Sequence, residues 1–431
     1  MSIVSLTRRS LLGGGLAAVA SAAGCTSPPT PDPGPVVDPV LEGIENIEPV
    51  AQTQAAYLAP LKATLTRHLK PTKANPKHPV YAGAAAVVLV DGRVTASVAV
   101  GHALRYKAGP VQLPVARRVA MRTDSVFDLA SLTKIYTSIL LLQQVDRGLV
   151  DLDAPVVRYL PGFTGAGKSA VTVRMLLTHT AALPVGANVK GRPTLAAKRA
   201  AVLGTPLIKG VQPGGSYRYS SVGLMVAAQI VEKVTGKSLD AALKAGIVTP
   251  LGLTSTGFNP LKWLPGKARI AATDARSSRG LLRGVVHDDV AARMGGVIGS
   301  AGIFGTAYEV ALVGELLRNG GVLHGRRLLS AGIVTEMLTN QNRGLPAVDP
   351  DRPGRPSAHG LGVTLGQPWF MGRLSSAASF GHTGFTGTSL LVHPGHRLVL
   401  ALLTNRAHPN WSWADPDPMR VAVADTIAAH L

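Results

Sequence analysis

The chain has 431 residues, 46% of them apolar and only 4% aromatic, a single cysteine and a net charge of +20. That length and apolar share can fill a large core, which must be mostly Ala, Val and Leu, and the lone cysteine excludes an intrachain disulfide. The cations are scattered and not interleaved with aromatic rings, so no nucleic-acid module is indicated and the charge reads as a basic surface.

Residues 1–24 read as an export signal. Thr7-Arg8-Arg9-Ser10-Leu11-Leu12 is a twin-arginine start, and the apolar run behind it is shorter than the roughly 20 residues a membrane-spanning helix takes. Ala22-Ala23-Gly24-Cys25 resembles a bacterial lipobox, so Cys25 is expected to carry a lipid that anchors the exported protein to the outer face of the cytoplasmic membrane. Residues 25–45 then form a lipidated, Pro-rich tether. The rest, 46–431, is expected to be the folded domain.

Within it, Leu58, Leu61, Leu65 and Leu69 have helical spacing, with Pro60 starting or kinking the helix. Ala84–Val90 and Val94–Val100 flank Asp91-Gly92 as a hairpin. Ser131 to Val145 predicts a buried helix that ends at Gly148. From about 150 to 370 the pattern is mostly helix and loop. It includes a helix over 222–234 and a Thr306-x-x-Glu309 capping box opening another. Ser389–His393 and Leu398–Leu403 read as strands around Pro394-Gly395, and Met419–Leu431 as a closing helix.

Three motifs carry chemistry. Ser131-Leu132-Thr133-Lys134 sets a hydroxyl and an amine one helical turn apart, and a serine needs such a neighbour to become a nucleophile. Tyr217-Arg218-Tyr219-Ser220-Ser221 follows, then Gly381-His382-Thr383-Gly384-Phe385. In this order they resemble the serine β-lactamase and penicillin-binding-protein superfamily, and most closely its class C branch with the related esterases and muramoyl-peptide amidases. The resemblance runs from about Val80 to the C-terminus. Leu176-Leu177-Thr178-His179-Thr180, Gly284-Val285-Val286-His287-Asp288 and Leu403-Thr404-Asn405-Arg406 add to it.

The resemblance implies an α/β (α+β) fold: an antiparallel sheet flanked by helices, an all-helical lobe, and an active site in the cleft between. The sheet lobe would span about 46–150 and 371–431, and the helical lobe about 151–370. It implies Ser131 as nucleophile, Lys134 and Tyr219 as the groups that activate it, and the N–H groups of Ser131 and Phe385 as an oxyanion hole. Tyr217 is the neighbouring alternative to Tyr219. Ser221, His382, Thr383 and Gly384 would line the substrate. Ser221 stands where the family usually has asparagine and His382 where lactamases carry lysine, which shifts the expectation from β-lactams toward esters or amides. His382 would donate to a substrate carboxylate only when protonated or in the right tautomer. No cofactor or metal is implied.

The expected activity is hydrolysis of a small-molecule or peptidoglycan-derived ester or amide through an acyl-enzyme. A D-Ala-D-Ala carboxypeptidase or β-lactamase is the alternative within the class, and a non-catalytic penicillin- or peptidoglycan-binding protein the alternative outside it. Gly162-Phe163-Thr164-Gly165-Ala166-Gly167-Lys168-Ser169 matches a phosphate-binding loop letter for letter, but Pro161 precedes it and no strand leads into it, so no nucleotide is expected. His179, His287 and His393 lack metal-site spacing; His287 beside Asp288 and Asp289 could line a substrate loop or bind a metal, but reads first as a hydrogen-bonded structural ring.

Overall fold

Strand Gly83–Val90 (β1) is apolar throughout because both of its faces are covered. Ala85, Val87 and Leu89 join one core cluster, and Ala84, Ala86 and Val88 join another on the opposite face. Residues 56–350 and 352–431 are described by the computed structural model; Arg8, Arg9, Cys25 and the Pro-rich tether lie outside them.

β1 is the fifth strand of a seven-stranded antiparallel sheet. The others are Arg93–Leu104 (β2), Val119–Ala120 (β3), Thr364–Leu365 (β4), Phe380–Thr383 (β5), Ser389–His393 (β6) and Leu398–Thr404 (β7). Their order is β4-β5-β6-β7-β1-β2-β3, so strands from both ends of the described chain meet where β1 pairs with β7, Val87 opposite Ala401.

Helices Leu58–Arg67 (α1) and Asp417–Ala428 (α5) cover one face through Leu61, Leu65, Met419, Val423 and Ile427. Against the other face lies Ala307–Arg318 (α4); the buried Thr133–Asp146 (α2) and Ser221–Thr235 (α3) pack on each other and join the same core cluster. α4 comes from the middle of the chain yet packs on the sheet. It can do so because a Cβ on Gly314 would stand 2.7 Å from Val399 Cγ1 and 2.9 Å from Leu390 Cδ1.

Three local outcomes differ from the sequence pattern. α2 begins at Thr133, and Ser131 sits in a 3₁₀ turn, Ala130–Leu132, just before it. The capping box of α4 is half made: Thr306 Oγ1 accepts the Glu309 N–H at 3.3 Å, but the Glu309 carboxylate turns away to accept the N–H groups of Thr254 at 2.8 Å and Ser255 at 2.9 Å. A small second sheet, unforeseen because its strands are too short to show a period, pairs Phe127–Asp128 and Gly257–Phe258 with Ile303–Gly305. It holds the backbone that leads into Ser131.

Candidate active site

The small sheet ends in a strained turn. Leu129 N–H donates to Ile303 O at 2.9 Å, and Ala130 then adopts φ +48°, a left-handed conformation that a residue with a Cβ rarely takes. The buried Asp128 carboxylate holds the turn: Oδ1 accepts Ala130 N–H at 2.9 Å and Oδ2 accepts His287 N–H at 2.7 Å. Burial raises the Asp128 pKa against the opposing pull of these two N–H donors. Ser131 emerges next, half-buried at the start of α2.

Ser131 Oγ is the meeting point of two donors. Lys134 Nζ reaches it at 2.9 Å and Tyr219 Oη at 2.8 Å. Lys134 is fully buried, and its ammonium also donates to Ser300 O at 3.1 Å. It lies 5.0 Å from the centre of the Tyr219 ring. Burial alone would raise the Tyr219 pKa. The Lys134 charge and the hydrogen bonds around the phenol outweigh it, and the pKa falls below the ordinary value near 10.

Tyr219 is set by the start of α3. Ser220 caps that helix, its Oγ accepting Gly223 N–H at 3.2 Å while donating to Pro184 O at 2.7 Å. Its N–H donates to His179 Nδ1 at 3.1 Å. Tyr217, the neighbouring alternative, is buried away from Ser131. Its backbone joins the 346–348 stretch, and burial drives its phenol pKa up.

The loop after β5 is stapled to the same turn. Thr386 Oγ1 donates to Asp128 O at 2.8 Å, and Thr388 Oγ1 to Leu129 O at 3.0 Å. A Cβ on Gly384 would meet Thr388 Oγ1 at 2.0 Å and Leu129 O at 2.6 Å, so only glycine permits this approach. From behind, Arg420 Nη2 donates to Gly384 O at 2.9 Å and Thr388 O at 3.0 Å. The loop thereby brings the backbone of Phe385 beside the Ser131 turn. Thr383, half-buried, ends β5, and Gly384 is buried; Ser221, half-buried, opens α3 with its N–H on Val185 O at 3.1 Å.

His382 departs from its expected part. It is 3% exposed, and its Nδ1 lies 2.8 Å from Thr383 O. A carbonyl only accepts, so Nδ1 carries the proton and Nε2 presents a lone pair. Burial and the nearby Lys134 charge keep the ring neutral by pulling its pKa well below 6.5. A neutral ring in this tautomer has no donor left for a substrate carboxylate.

His382 belongs to a buried trio with His179 and His359, one ring nitrogen of each lying within 4.8 Å of the others. The Nε2 atoms of all three are buried without a hydrogen-bond partner among the described residues. His359 Nδ1 donates to Gly360 O at 2.7 Å, so its Nε2 is also a lone pair. His179 Nδ1 accepts an N–H, so its Nε2 keeps the proton. A cation held by all three Nε2 atoms would need three lone pairs, and His179 keeps a proton on its own. The trio packs against the phenol, His179 at 4.7 Å from the Tyr219 ring centre and His382 at 6.2 Å.

Elsewhere, His287 Nε2 lies 3.3 Å from Asp274 Oδ2. Burial raises the Asp274 pKa, but His287 and Arg276 together outweigh it and hold the carboxylate ionised. In the phosphate-loop look-alike, Lys168 turns inward: it is 1% exposed, donates to Leu203 O and lies 4.4 Å from the Phe163 ring centre. Sequence reading did not assign Asp128, His179 or His359 to the site. Asp128 stands three residues before Ser131 in an otherwise apolar stretch, which was a usable signal. His359 had none, being 228 positions from Ser131 in a loop.

The profile of the Beta-lactamase family matches residues 68–425. The chain is 30% identical over 354 residues to the N-acetylmuramyl-L-alanine amidase of Bacillus subtilis (strain 168), covering 76% of this chain and 78% of the relative. It is likewise 30% identical over 353 residues to an Escherichia coli (strain K12) protein named provisionally as a D-alanyl-D-alanine carboxypeptidase, covering 75% and 78%. Among solved structures, EstCE1, a hydrolase with promiscuous acyltransferase activity, superposes with a TM-score of 0.63 at 20% identity, covering 86% of this chain and 98% of its own.

Proposed function

We propose a function from one premise: the chain belongs to the Beta-lactamase family and is a serine hydrolase. In our reading it cleaves an ester or amide through an acyl-enzyme on Ser131. The observation that carries this is the convergence of Lys134 Nζ and Tyr219 Oη on Ser131 Oγ, at 2.9 and 2.8 Å.

The chemistry follows from the charges. With the Lys134 ammonium beside it, Tyr219 can lose its proton at lower pH than a free phenol and then accept the Ser131 proton. Ser131 Oγ attacks the carbonyl carbon, and the oxyanion forms against the N–H groups of Ser131 and Phe385. Tyr219 returns the proton to the leaving oxygen or nitrogen; its phenolate then takes a proton from water, whose oxygen attacks the acyl carbon, and passes that proton to Ser131 Oγ as the acyl–Oγ bond breaks and the acid leaves. Thr383, Gly384 and Ser221 border the substrate. His382 acts from behind, packing Tyr219 in place as a neutral ring.

Peptidoglycan-derived substrates are favoured by the amidase name of the Bacillus relative. We further propose export and a lipid anchor at Cys25, supported by the twin arginines and the lipobox-like Ala22-Ala23-Gly24-Cys25. Among the described residues no helix is long and apolar enough to cross a membrane. Cys25→Ser should move the protein from the membrane fraction to the medium, and an unacylated, soluble wild type would refute the anchor.

The decisive test of the chemistry is mass spectrometry after exposure to a fluorophosphonate. One adduct is expected, on the peptide containing Ser131, and Ser131→Ala should lose it. Labelling at Ser220 or Ser389 would sink the assignment.

A further inference from the structure

Aromatic residues make up only 4% of the chain. Among the described residues three are exposed: Tyr308 at 43%, Phe385 at 43% and Trp411 at 37%. Two of these three touch each other beside the nucleophile turn. The Phe385 and Trp411 rings lie 5.4 Å apart at 57°, and His287 flanks Phe385 on another side at 5.4 Å and 31°. Phe385 belongs to the loop that Thr386 and Thr388 fasten to Asp128 and Leu129, three and two positions before Ser131. His287 is fastened to Asp128 as well. The loop that carries Phe385 therefore lies against the turn that carries Ser131.

Guanidinium groups edge this ledge. Arg406 lies 5.1 Å from the Phe385 ring centre and Arg276 lies 5.8 Å from that of Trp411. Both are held in place: Arg406 by Ala414 O at 3.1 Å and Phe385 O at 3.1 Å, Arg276 by a double contact with Asp274. Exposed aromatic surface that the fold could have buried marks a place where something else covers it.

The surroundings narrow the ligand. A simple acyl chain gains most from an enclosed apolar pocket, whereas this ledge is open to solvent and rimmed by cations and an imidazole. It suits a ligand with a flat C–H face and a polar edge. The positively polarised C–H face rests on the negative ring faces, and the polar edge meets guanidinium donors and water. We propose that Phe385 and Trp411 form a subsite for the pyranose ring of an N-acetylhexosamine-bearing substrate, with Arg406 and Arg276 at its polar edge. This rests on the reading of Ser131 as the nucleophile and names the substrate part bound next to it.

The test compares three substrates: an N-acetylmuramoyl peptide, p-nitrophenyl acetate and p-nitrophenyl octanoate. Trp411→Ala should lower the ratio of kcat/KM for the muramoyl peptide to that for the acetate by about three- to tenfold, through KM. Trp411→Phe, which keeps a ring, should restore most of the ratio. In Ser131→Ala, N-acetylmuramic acid should still change the tryptophan fluorescence, and adding Trp411→Phe should remove that change. An unchanged ratio, or a Trp411→Ala defect confined to the octanoate, overturns the sugar subsite, the latter by reassigning the ledge to acyl chains. Failure of the Ser131 reading looks different: Ser131→Ala would then keep its turnover of p-nitrophenyl acetate.

Discussion

Lys134 and Lys168 are both almost wholly buried, and each stands in a stretch whose letters match a known motif. Lys134 faces a serine hydroxyl and a phenol, with one backbone carbonyl completing its contacts. Lys168 faces a backbone carbonyl and the ring of Phe163, neither of which has a proton to exchange near neutral pH. Burial lowers the Lys168 pKa, but among the described residues no titratable side chain is in contact with its amine. The contrast shows that what a buried ammonium can do depends on the neighbour whose ionisation it shifts. The look-alike loop also lacks the strand before it and the long helix after it: only a 3₁₀ turn, Lys168–Ala170, follows.

The largest difference between the two sites should appear on removing each amine. Ser131→Ala is expected to abolish turnover, and Lys134→Met or Tyr219→Phe to lower kcat/KM by about 10²–10⁴-fold on a p-nitrophenyl ester. Steady-state kinetics on folded variants would check this. A Lys134→Met enzyme with near-wild-type kcat/KM would erase the distinction between the two lysines.

Next in size is Gly384→Ala. Its Cβ would overlap Thr388 Oγ1 and Leu129 O, at 2.0 and 2.6 Å, so the loop must leave the Ser131 turn. A loss of about 1–3 kcal/mol in stability is expected, together with a fall in kcat larger than any change in KM. Denaturant melts and kinetics would separate the two effects.

The pH profile sharpens the comparison further. Burial raises the Tyr219 pKa, but the Lys134 charge and its hydrogen bonds bring the net value below 10. In the proposed mechanism the phenolate is the active form, so kcat/KM should rise as pH climbs through that pKa and then level off. In Lys134→Met the residual activity should show its inflection at higher pH, since the stabilising cation is gone. Lys168→Met should leave the inflection where it is.

The smallest expected effect is that of Lys168→Met on the fold. It keeps most of the packing but leaves Leu203 O without its donor, a cost of about 1–3 kcal/mol. The melting temperature should fall while kcat/KM stays within about twofold. A large activity loss at unchanged stability would give this stretch a function that its contacts do not suggest.

What could be read from the linear chain was what rests on short spacing. Ser131 and Lys134 are three residues apart, so a helical turn alone brings them together. The long apolar runs of β1 and β7 and the stripe of α3 are likewise local patterns, and they appear where the spacing put them. The motif order then suggested the fold, whose sheet does join the two ends of the described chain.

Tertiary structure decided the rest, because it concerns ionisation and contact between distant residues. Motif spacing favours Tyr219 over its neighbour Tyr217, but it is packing that turns the one phenol to Ser131 and buries the other. His382 as a letter is a residue able to carry charge, yet burial keeps it neutral and a carbonyl fixes its proton on Nδ1. The half-made capping box has the same cause: a Glu309 carboxylate finds four N–H and O–H donors across the fold that outcompete its own helix. Spacing sets which side chains share a local face. Dielectric surroundings and partners from far along the chain set what those side chains can do.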